Sequence, residues 1–424
     1  MMQPQSLRRG IGTGLVVLVA LMPFHAFLSV WLGTMTHHEQ LIEAWKEILL
    51  VLLSAGTLWL VVKDDSTRDR LRSLPIYFIG PFALVAVLVT LFTRPSLTAV
   101  AYGAKTDMEF LVAFVLAALV STPKLVRTLV WAVLVPACLV VAFGLLEFTV
   151  LPASFLAHFG YSAQTVRPYE LLGGTARVLR FPSTLGGPNQ LGTYLILPFA
   201  LSLILAFRRR QWLWLVLALA CLPVSIHAYS RGAWLGMIAA VIVTAFALTP
   251  RRLRLRSGLL VTGVAAAGAV AIGLLATRVT KLRYYIFHGT TSPTAQSSDS
   301  QHLSSLKIGL DDTVHAPLGH GLGTAGPAVF HAHSGIIIEN NFLQLSYETG
   351  IVGAVLFLAI CLAAAVNLAR RAGTIDLAAA SLAALVGISI TALFLPAWTD
   401  SSTALILWTA AGASLGLSPD SRHV

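Results

Sequence analysis

Arginines in short non-apolar segments are the side chains of this sequence best suited to bind an anion. One segment begins Arg177-Val-Leu-Arg180 and continues through Phe-Pro-Ser-Thr-Leu-Gly-Gly to Pro188-Asn189. Its glycines and prolines permit a tight turn in which backbone N–H groups face the same pocket as both guanidinium groups. A guanidinium binds phosphate or pyrophosphate through paired hydrogen bonds and keeps its charge at any working pH. The alternative for either arginine is contact with lipid headgroups.

A further arginine, Arg231, lies in the segment Tyr229-Ser-Arg-Gly-Ala-Trp234, which joins two apolar blocks with almost no polar linker. We expect Arg231 to precede a helix whose N-terminus adds partial positive charge for an anion. The alternative is an ordinary turn with an interfacial arginine and tryptophan. The cost of holding an arginine between two apolar blocks favours a functional role.

A long polar stretch near the C-terminal third contains a candidate acid–base pair. His302 follows the run Ser297-Ser-Asp-Ser-Gln301, which is rich in helix N-cap residues, and Glu339 immediately precedes an apolar block. His302 can accept a proton or pair with phosphate, and Glu339 can act as a base at the end of an apolar helix. The alternatives are an ordinary helix-start histidine and a solvated or ion-paired glutamate.

The remaining clusters of histidine and cysteine do not predict a metal site. The histidines at 315, 320, 331 and 333 lack the i, i+4 spacing of a helical zinc site, and no acidic ligand is fixed beside them. Cys138, Cys221 and Cys361 lie in apolar blocks without CxxC spacing. We therefore expect neither a metal nor a cofactor.

The elements that must position these residues are membrane helices. Of the 424 residues, 56% are hydrophobic and only 11% are charged, and the mean hydropathy is +0.79. Soluble domains carry about 25% charged residues, so this composition excludes a soluble globular protein. The apolar residues run in blocks of roughly 17–25 rather than alternating, which excludes an outer-membrane barrel.

Counting these blocks predicts an all-α polytopic protein with about 12 transmembrane helices in a single membrane domain over residues 1–424. The predicted spans lie near 11–33, 42–62, 75–93, 103–121, 126–151, 190–207, 211–228, 232–248, 258–277, 342–367, 376–396 and 402–418. Two larger loops remain, at 152–189 and 278–341. Loops of this length are usually functional, and the second contains a plausible amphipathic helix near 303–310.

Basic clusters give these spans an orientation. Most of the arginines and lysines behind the net charge of +11 lie in short connections that share one side if the spans alternate. The positive-inside rule makes that side and both termini cytoplasmic, and membrane topology explains the charge better than nucleic-acid binding. Both larger loops then lie on the opposite, periplasmic face. The pair Lys46-Glu47 falls inside a predicted span and is most simply structural.

Four segments in this order resemble the superfamily of O-antigen ligases and O-antigen or exopolysaccharide polymerases. They are the Arg180 loop ending in Gly-Pro-Asn189, the Ser-Arg231-Gly-Ala-Trp turn, Pro317-Leu-Gly-His-Gly-Leu-Gly-Thr, and Glu339-Asn-Asn-Phe-Leu-Gln with Glu348-Thr-Gly-Ile-Val-Gly. The resemblance spans roughly residues 170–355 and the hydropathy of the whole chain. His302 at the loop helix and Glu-Asn before the next span resemble the polymerase and ligase-like members.

The resemblance implies a bacterial inner-membrane glycosyltransferase of C-type architecture. It implies an undecaprenyl-pyrophosphate-linked glycan as donor and a glycan hydroxyl as acceptor at the periplasmic face, by an inverting, metal-independent transfer. Arg231, and with less support Arg180 and Arg177, would bind the pyrophosphate. Arg231, Glu339 and His302 would be the catalytic residues, and Asn340, Asn189 and His320 would contact glycan.

Alternatives remain for the acceptor molecule and for the class of protein. A polymerase is favoured, and ligation of a finished glycan to lipid A-core is the first alternative. A polytopic transporter or flippase is the second, but candidate functional charges concentrate in the two outer loops and no repeat relates the two halves of the chain. A purely structural partner in a glycan-assembly complex would tolerate loss of the arginines.

Overall fold

The computed structural model describes residues 3–73, 77–172, 178–250, 298–332 and 335–417, with a few single or paired positions between 253 and 279. Within these ranges the chain is mostly helical. The helices are α1 (Pro4–Leu21), α2 (His25–Thr36), α3 (Glu39–Glu43), α4 (Trp45–Lys63), α5 (Asp65–Ser73), α6 (Ile79–Thr93), α7 (Leu97–Leu119), α8 (Pro123–Thr149), α9 (Pro188–Tyr194), α10 (Ile196–Arg208), α11 (Leu213–His227), α12 (Arg231–Leu248), α13 (Ser298–His315), α14 (Val329–Ala332), α15 (Asn341–Arg371), α16 (Asp376–Thr391) and α17 (Ser401–Leu415). Two short antiparallel strands, β1 (Glu170–Leu171) and β2 (Leu179–Arg180), pair with Glu170 opposite Arg180.

Six helical segments in the described ranges are long and apolar enough to cross a membrane. They are Pro4–Thr36, Trp45–Lys63, Pro123–Thr149, Pro188–Arg208, Arg231–Leu248 and Asn341–Arg371. Shorter apolar helices occupy the predicted spans near 75–93, 211–228, 376–396 and 402–418. The predicted span near 258–277 lies largely outside the described residues. This architecture fits an all-α membrane protein.

The helix α7 differs from these apolar segments. It has 23 residues, but its N-terminal half carries Lys105, Asp107 and Glu109. Asp107 and Glu109 are buried in the bundle. The predicted span near 103–121 is therefore a helix whose two carboxylates are covered by protein, which removes most of the cost of placing them among apolar helices.

Local signals at the helix starts explain several of these boundaries. The side chain of Thr122 accepts a hydrogen bond from Leu125 N, and Pro123 follows at the first position of α8. The side chain of Asp400 likewise accepts from Thr403 N at the start of α17. Such caps satisfy backbone donors that the first helical turn leaves unpaired.

Hydrogen bonds join many helix ends at one end of the bundle, which we call the basic end. Its contacts are Arg8 with Asp64, Arg70 with the Ser121 carbonyl, Arg208 with Asp376, and Arg371 with the Leu417 carbonyl. The four arginines belong to basic clusters for which the sequence predicts a common side, and the structure places these four at the same end of the bundle.

The opposite end of the bundle, which we call the site end, contains the described parts of both larger loops, at 152–172, 178–189, 298–332 and 335–341. In the first, the 3-10 helix Phe155–Phe159 packs by its aromatic rings on α2, with Phe27 and Phe159 centroids 5.2 Å apart. In the second, α13 covers the residues near 303–310 for which the sequence predicts a helix, but Leu303, Ile308 and Leu310 are exposed. Beneath this end lies an aromatic core in which Trp398 and Trp408 are fully buried.

Small residues let α12 and α16 approach closely below the site end. A Cβ added at Gly236 would lie 2.5 Å from the Gly387 carbonyl oxygen, and Thr391 Oγ1 donates to the Gly232 carbonyl at 3.1 Å. Close backbone approach through glycine is a common basis of helix packing in membranes. It fixes the position of the first turn of α12.

We expect Gly236→Ala to lower the stability of the protein by about 1–3 kcal/mol, the usual cost of overpacking. The clash is with backbone of α16, which cannot rotate away as a side chain can. Thermal unfolding of the purified protein in detergent measures the effect. Gly80→Ala in α6 is the matched control, since a Cβ there meets nothing within 4 Å; equal unfolding temperatures for both variants would contradict the prediction.

Candidate functional site

A cavity of about 540 Å³ lies at the site end. Most of the predicted site residues line it: Arg180, Asn189, Arg231, His302, Glu339 and Asn340. The rest of its wall comes from Tyr229, Ser230, Gly232, Leu235, Leu303, Leu306, Leu393, Phe394 and Leu395. The cavity thus gathers residues from the first loop, from the start of α12, and from both ends of the second loop.

Arg231 is the first residue of α12, as the sequence predicts. The turn before it is tight, with Tyr229 in the left-handed region at φ 47°. The indole of Trp234 donates to the Ser225 carbonyl at 2.8 Å and ties α12 to the end of α11. Ser230 Oγ is buried without a hydrogen-bond partner among the described residues. The guanidinium and the N-terminal helix dipole both bring positive charge to this wall.

Arg180, in β2, is held on three sides by the protein. Its Nε donates to the Ala228 carbonyl at 2.9 Å, its Nη1 to Glu170 at 3.1 Å, and its Nη2 to Asn189 Oδ1 at 2.6 Å. Burial lowers its pKa, the Glu170 carboxylate raises it, and the nearby Arg231 charge lowers it. Arg180 is therefore a fixed cation that also anchors the turn before Arg231.

The imidazole of His302 contacts the carboxylate of Glu339 across the cavity wall, through His302 Nδ1 and Glu339 Oε2. Both side chains are 32% exposed, so the pair remains accessible from the cavity. The backbone N–H of Glu339 donates to Ser305 Oγ at 2.8 Å, which joins the segment before α15 to α13. Residues 302 and 305 lie one turn apart on the same helical face, so one face of α13 holds both contacts.

Asn340 combines two structural roles with its place in the cavity. Its Oδ1 accepts from the N–H groups of Phe342 and Leu343, capping α15, while its Nδ2 donates to the Leu393 carbonyl at 3.0 Å. Asn340 therefore positions the turn after α16. Asn189 is similarly engaged, since its Oδ1 accepts from Arg180.

One side of the cavity is apolar. Leu303 and Leu306 of α13 face the wall formed by Leu393, Phe394 and Leu395. Cations, a histidine–carboxylate pair and apolar side chains thus line the same space. Such a lining suits an amphiphilic ligand that has an anionic head and an apolar tail.

His320 does not line this cavity. Its Nε2 lies 3.0 Å from Asp312 Oδ1, and its ring centroid is 4.2 Å from that of Tyr347. His315 pairs with Asp311 and His331 stacks on Tyr102, so these histidines have separate partners. His333 and Arg177 lie outside the described residues.

Two parts of the site are not apparent in the sequence. Glu170, the ion partner of Arg180, comes from the other strand of a hairpin whose strands have two residues each. The apolar turn Leu393–Leu395 reads as the end of a span, and only its contact with Asn340 brings it to the cavity. No motif spacing predicts either contact, because both depend on the folding of loops.

A comparison with models of protein families finds no match to this chain, and a search of curated proteins finds no similar sequence. Its description therefore rests on its own structure. The fold is helical with apolar segments long enough to cross a membrane, and the cavity at the site end is lined by arginines on one side and by apolar side chains on the other.

Proposed function

We propose that this protein is a membrane glycosyltransferase that transfers a glycan from an undecaprenyl-pyrophosphate donor to a hydroxyl group of an acceptor glycan. One observation carries the proposal: a single cavity at the site end combines Arg180 and Arg231 with the pair His302–Glu339 and an apolar wall. A lipid-linked pyrophosphate donor has the matching chemistry in one molecule. This is the activity of the superfamily that the four sequence segments resemble.

The pyrophosphate and the lipid of the donor match the two sides of the cavity, one lined by arginines and the other apolar. Arg231 lies at the N-terminus of α12, where its charge adds to that of the helix dipole. For this reason we assign Arg231 the main pyrophosphate contact and Arg180, which lines the same cavity, a supporting role. The turn Leu393–Leu395 and the leucines of α13 accommodate the first part of the lipid.

The reaction needs a proton acceptor for the attacking hydroxyl. When His302 donates Nδ1–H to Glu339, the neutral imidazole keeps Nε2 as the proton acceptor. The acceptor oxygen attacks the anomeric carbon, its proton passes to His302 Nε2, and the bond from the anomeric carbon to the pyrophosphate oxygen breaks. The leaving oxygen takes the electron pair, and the fixed cations stabilise the charge that develops there. The alternative is that Glu339 itself accepts the proton.

The membrane arrangement follows from the same proposal. The basic end faces the cytoplasm with both termini, and the site end faces the periplasm of a bacterial inner membrane. The four shorter helices and α7 bring the six long segments to eleven spans, and the span predicted near 258–277 would complete about 12 with C-type glycosyltransferase-like architecture. In this orientation Arg180 and Arg231 are non-cytoplasmic cations, which the charge rule disfavours and an anionic ligand explains.

Within this class we favour a polymerase, in which the acceptor is another lipid-linked glycan. The purified protein in liposomes, supplied only with undecaprenyl-pyrophosphate-linked repeat units, should produce a ladder of longer glycans on a gel. No ladder, but transfer once lipid A-core is added, would identify a ligase. No product under either condition would overturn the transferase proposal.

A flippase or transporter is the alternative from another class, and the same liposomes test it. A flippase would change the accessibility of fluorescent lipid-linked glycan from one leaflet to the other without making a new glycosidic bond. A glycosyltransferase would lengthen the glycan and release undecaprenyl pyrophosphate. The cavity at one end of the bundle favours the second outcome.

A further inference from the structure

We infer that a second cavity at the site end is the subsite for the acceptor glycan and prefers uncharged or amino sugars. This inference deepens the proposed function and depends on it. The second cavity has a volume of about 280 Å³. Its wall includes Glu43, Lys46, Tyr102, Lys105 and Asp400, together with several hydroxyl side chains.

The two cavities are neighbours that share their dividing wall. Asn189 lines the first cavity, and the next residue, Gln190, lines the second. In the same way, Leu395 lines the first cavity and the next residue, Pro396, lines the second. A glycan in the second cavity would therefore end close to the donor, as transfer between two bound molecules requires.

The two lysines in the second cavity are already neutralised. Lys46 is fully buried, and its Nζ lies 2.7 Å from Glu47 and 3.0 Å from Glu109. Lys105 Nζ lies 3.0 Å from Glu47. These pairs leave no strong preference for an anion, in contrast to the arginine-lined first cavity.

Carboxylates remain in excess around the second cavity. Glu43 and Asp400 line it in addition to the two glutamates that pair with the lysines. Carboxylates accept hydrogen bonds from sugar hydroxyl and ammonium groups, and the partly exposed ammonium of Lys105 supplies a donor beside Glu47. An anionic sugar or a second pyrophosphate would meet paired lysines and the Glu43 carboxylate here, so the two cavities differ in their preference for charge.

The polar groups of the second cavity are held in place before any ligand binds. Tyr102 stacks on His331 with ring centroids 4.0 Å apart, and Lys105 Nζ lies 5.6 Å from the tyrosine ring centroid. Ser401 donates to Glu109, which is itself bonded to Lys46. Groups that need little rearrangement lose less entropy when a sugar binds.

Binding of two kinds of ligand, oligosaccharides and a pyrophosphate, by the wild-type protein and its variants tests this inference. The protein in nanodiscs is incubated with an array of neutral, acidic and amino oligosaccharides, and separately with farnesyl pyrophosphate as a short donor analogue. Glu43→Gln is nearly isosteric and should weaken retention of neutral or amino oligosaccharides at least about 10-fold, a loss typical of a charged hydrogen bond. Glu39→Gln, on the same helix but outside the cavity, is the matched control.

The two cavities should respond independently. Glu43→Gln should leave farnesyl pyrophosphate binding unchanged, and Arg231→Ala should abolish that binding without changing glycan retention. Retention of acidic oligosaccharides alone, no retention on the array, or glycan retention unaffected by Glu43→Gln would overturn the inference. Failure of the wild-type protein to bind farnesyl pyrophosphate would instead count against the proposed donor site.

Discussion

Arg231→Ala should reduce glycan transfer by at least about 10²–10³-fold, the usual cost of removing one donor aimed at developing charge. The pyrophosphate gains charge as its bond to the sugar breaks, and Arg231 is the cation at the first turn of α12 beside the cavity. Arg231→Lys should recover only part of the rate, because a lysine ammonium cannot form the paired hydrogen bonds of a guanidinium. Initial rates in the liposome assay measure both effects.

The control separates loss of chemistry from loss of folding. Arg167 is an exposed arginine of the first loop that does not line the cavity, so Arg167→Ala should retain wild-type activity. Both variants should elute as folded protein and unfold at the wild-type temperature. Transfer at the wild-type rate by Arg231→Ala would exclude the assigned role, and with it the main support for a pyrophosphate donor.

The charged residues that line the cavity can be predicted from the sequence because charged residues are rare in this chain. With 11% charged residues, each arginine outside the basic clusters is conspicuous, and Arg180 and Arg231 both line the cavity. Which of the cavity residues contact each other is harder to predict than which residues line the cavity. His302 and Glu339 are far apart along the second loop, and their contact depends on how α13 packs against the start of α15.

The structure gives His320 two partners that its motif does not predict. Its Gly-His-Gly setting is conspicuous in the sequence, but its ring contacts Asp312 and Tyr347 instead of the cavity. The flanking glycines allow a backbone conformation and a close approach that other residues would not. Gly319 has φ 81°, and a Cβ there would lie 2.4 Å from Gly350 N. The motif thus packs the loop against α15, and whether His320 also contacts glycan stays a prediction.

Hydropathy predicts where helices occur better than how each one crosses the membrane. Six segments meet the length and composition of a span, whereas α6, α11, α16 and α17 are shorter. The longest helix, α15, contains a break at Gly350, with φ 72° and ψ 175°. A Cβ at Gly350 would lie 2.6 Å from the Pro317 carbonyl oxygen, and Ile351 N donates to that oxygen at 3.0 Å, so the break accommodates a contact with the second loop. Hydropathy cannot report such contacts.

The pair His302–Glu339 gives the second large prediction. His302→Ala should reduce transfer by about 10²–10⁴-fold, the usual contribution of a positioned general base. If Glu339 only orients the imidazole, Glu339→Gln should cost less than His302→Ala, and the double variant should be no slower than His302→Ala alone, since residues that act as a unit are not additive. If Glu339 is the base, the order of the two single variants reverses.

The same helix offers a matched control for this pair. Asp311 and His315 of α13 also form a carboxylate–histidine pair, but both are about three-quarters exposed and neither lines the cavity. Asp311→Asn and His315→Ala should therefore leave the rate unchanged. Initial rates at saturating donor measure all of these variants. If losses in the double variant multiply, His302 and Glu339 act separately, and the assignment of one as the orienting partner of the other is wrong.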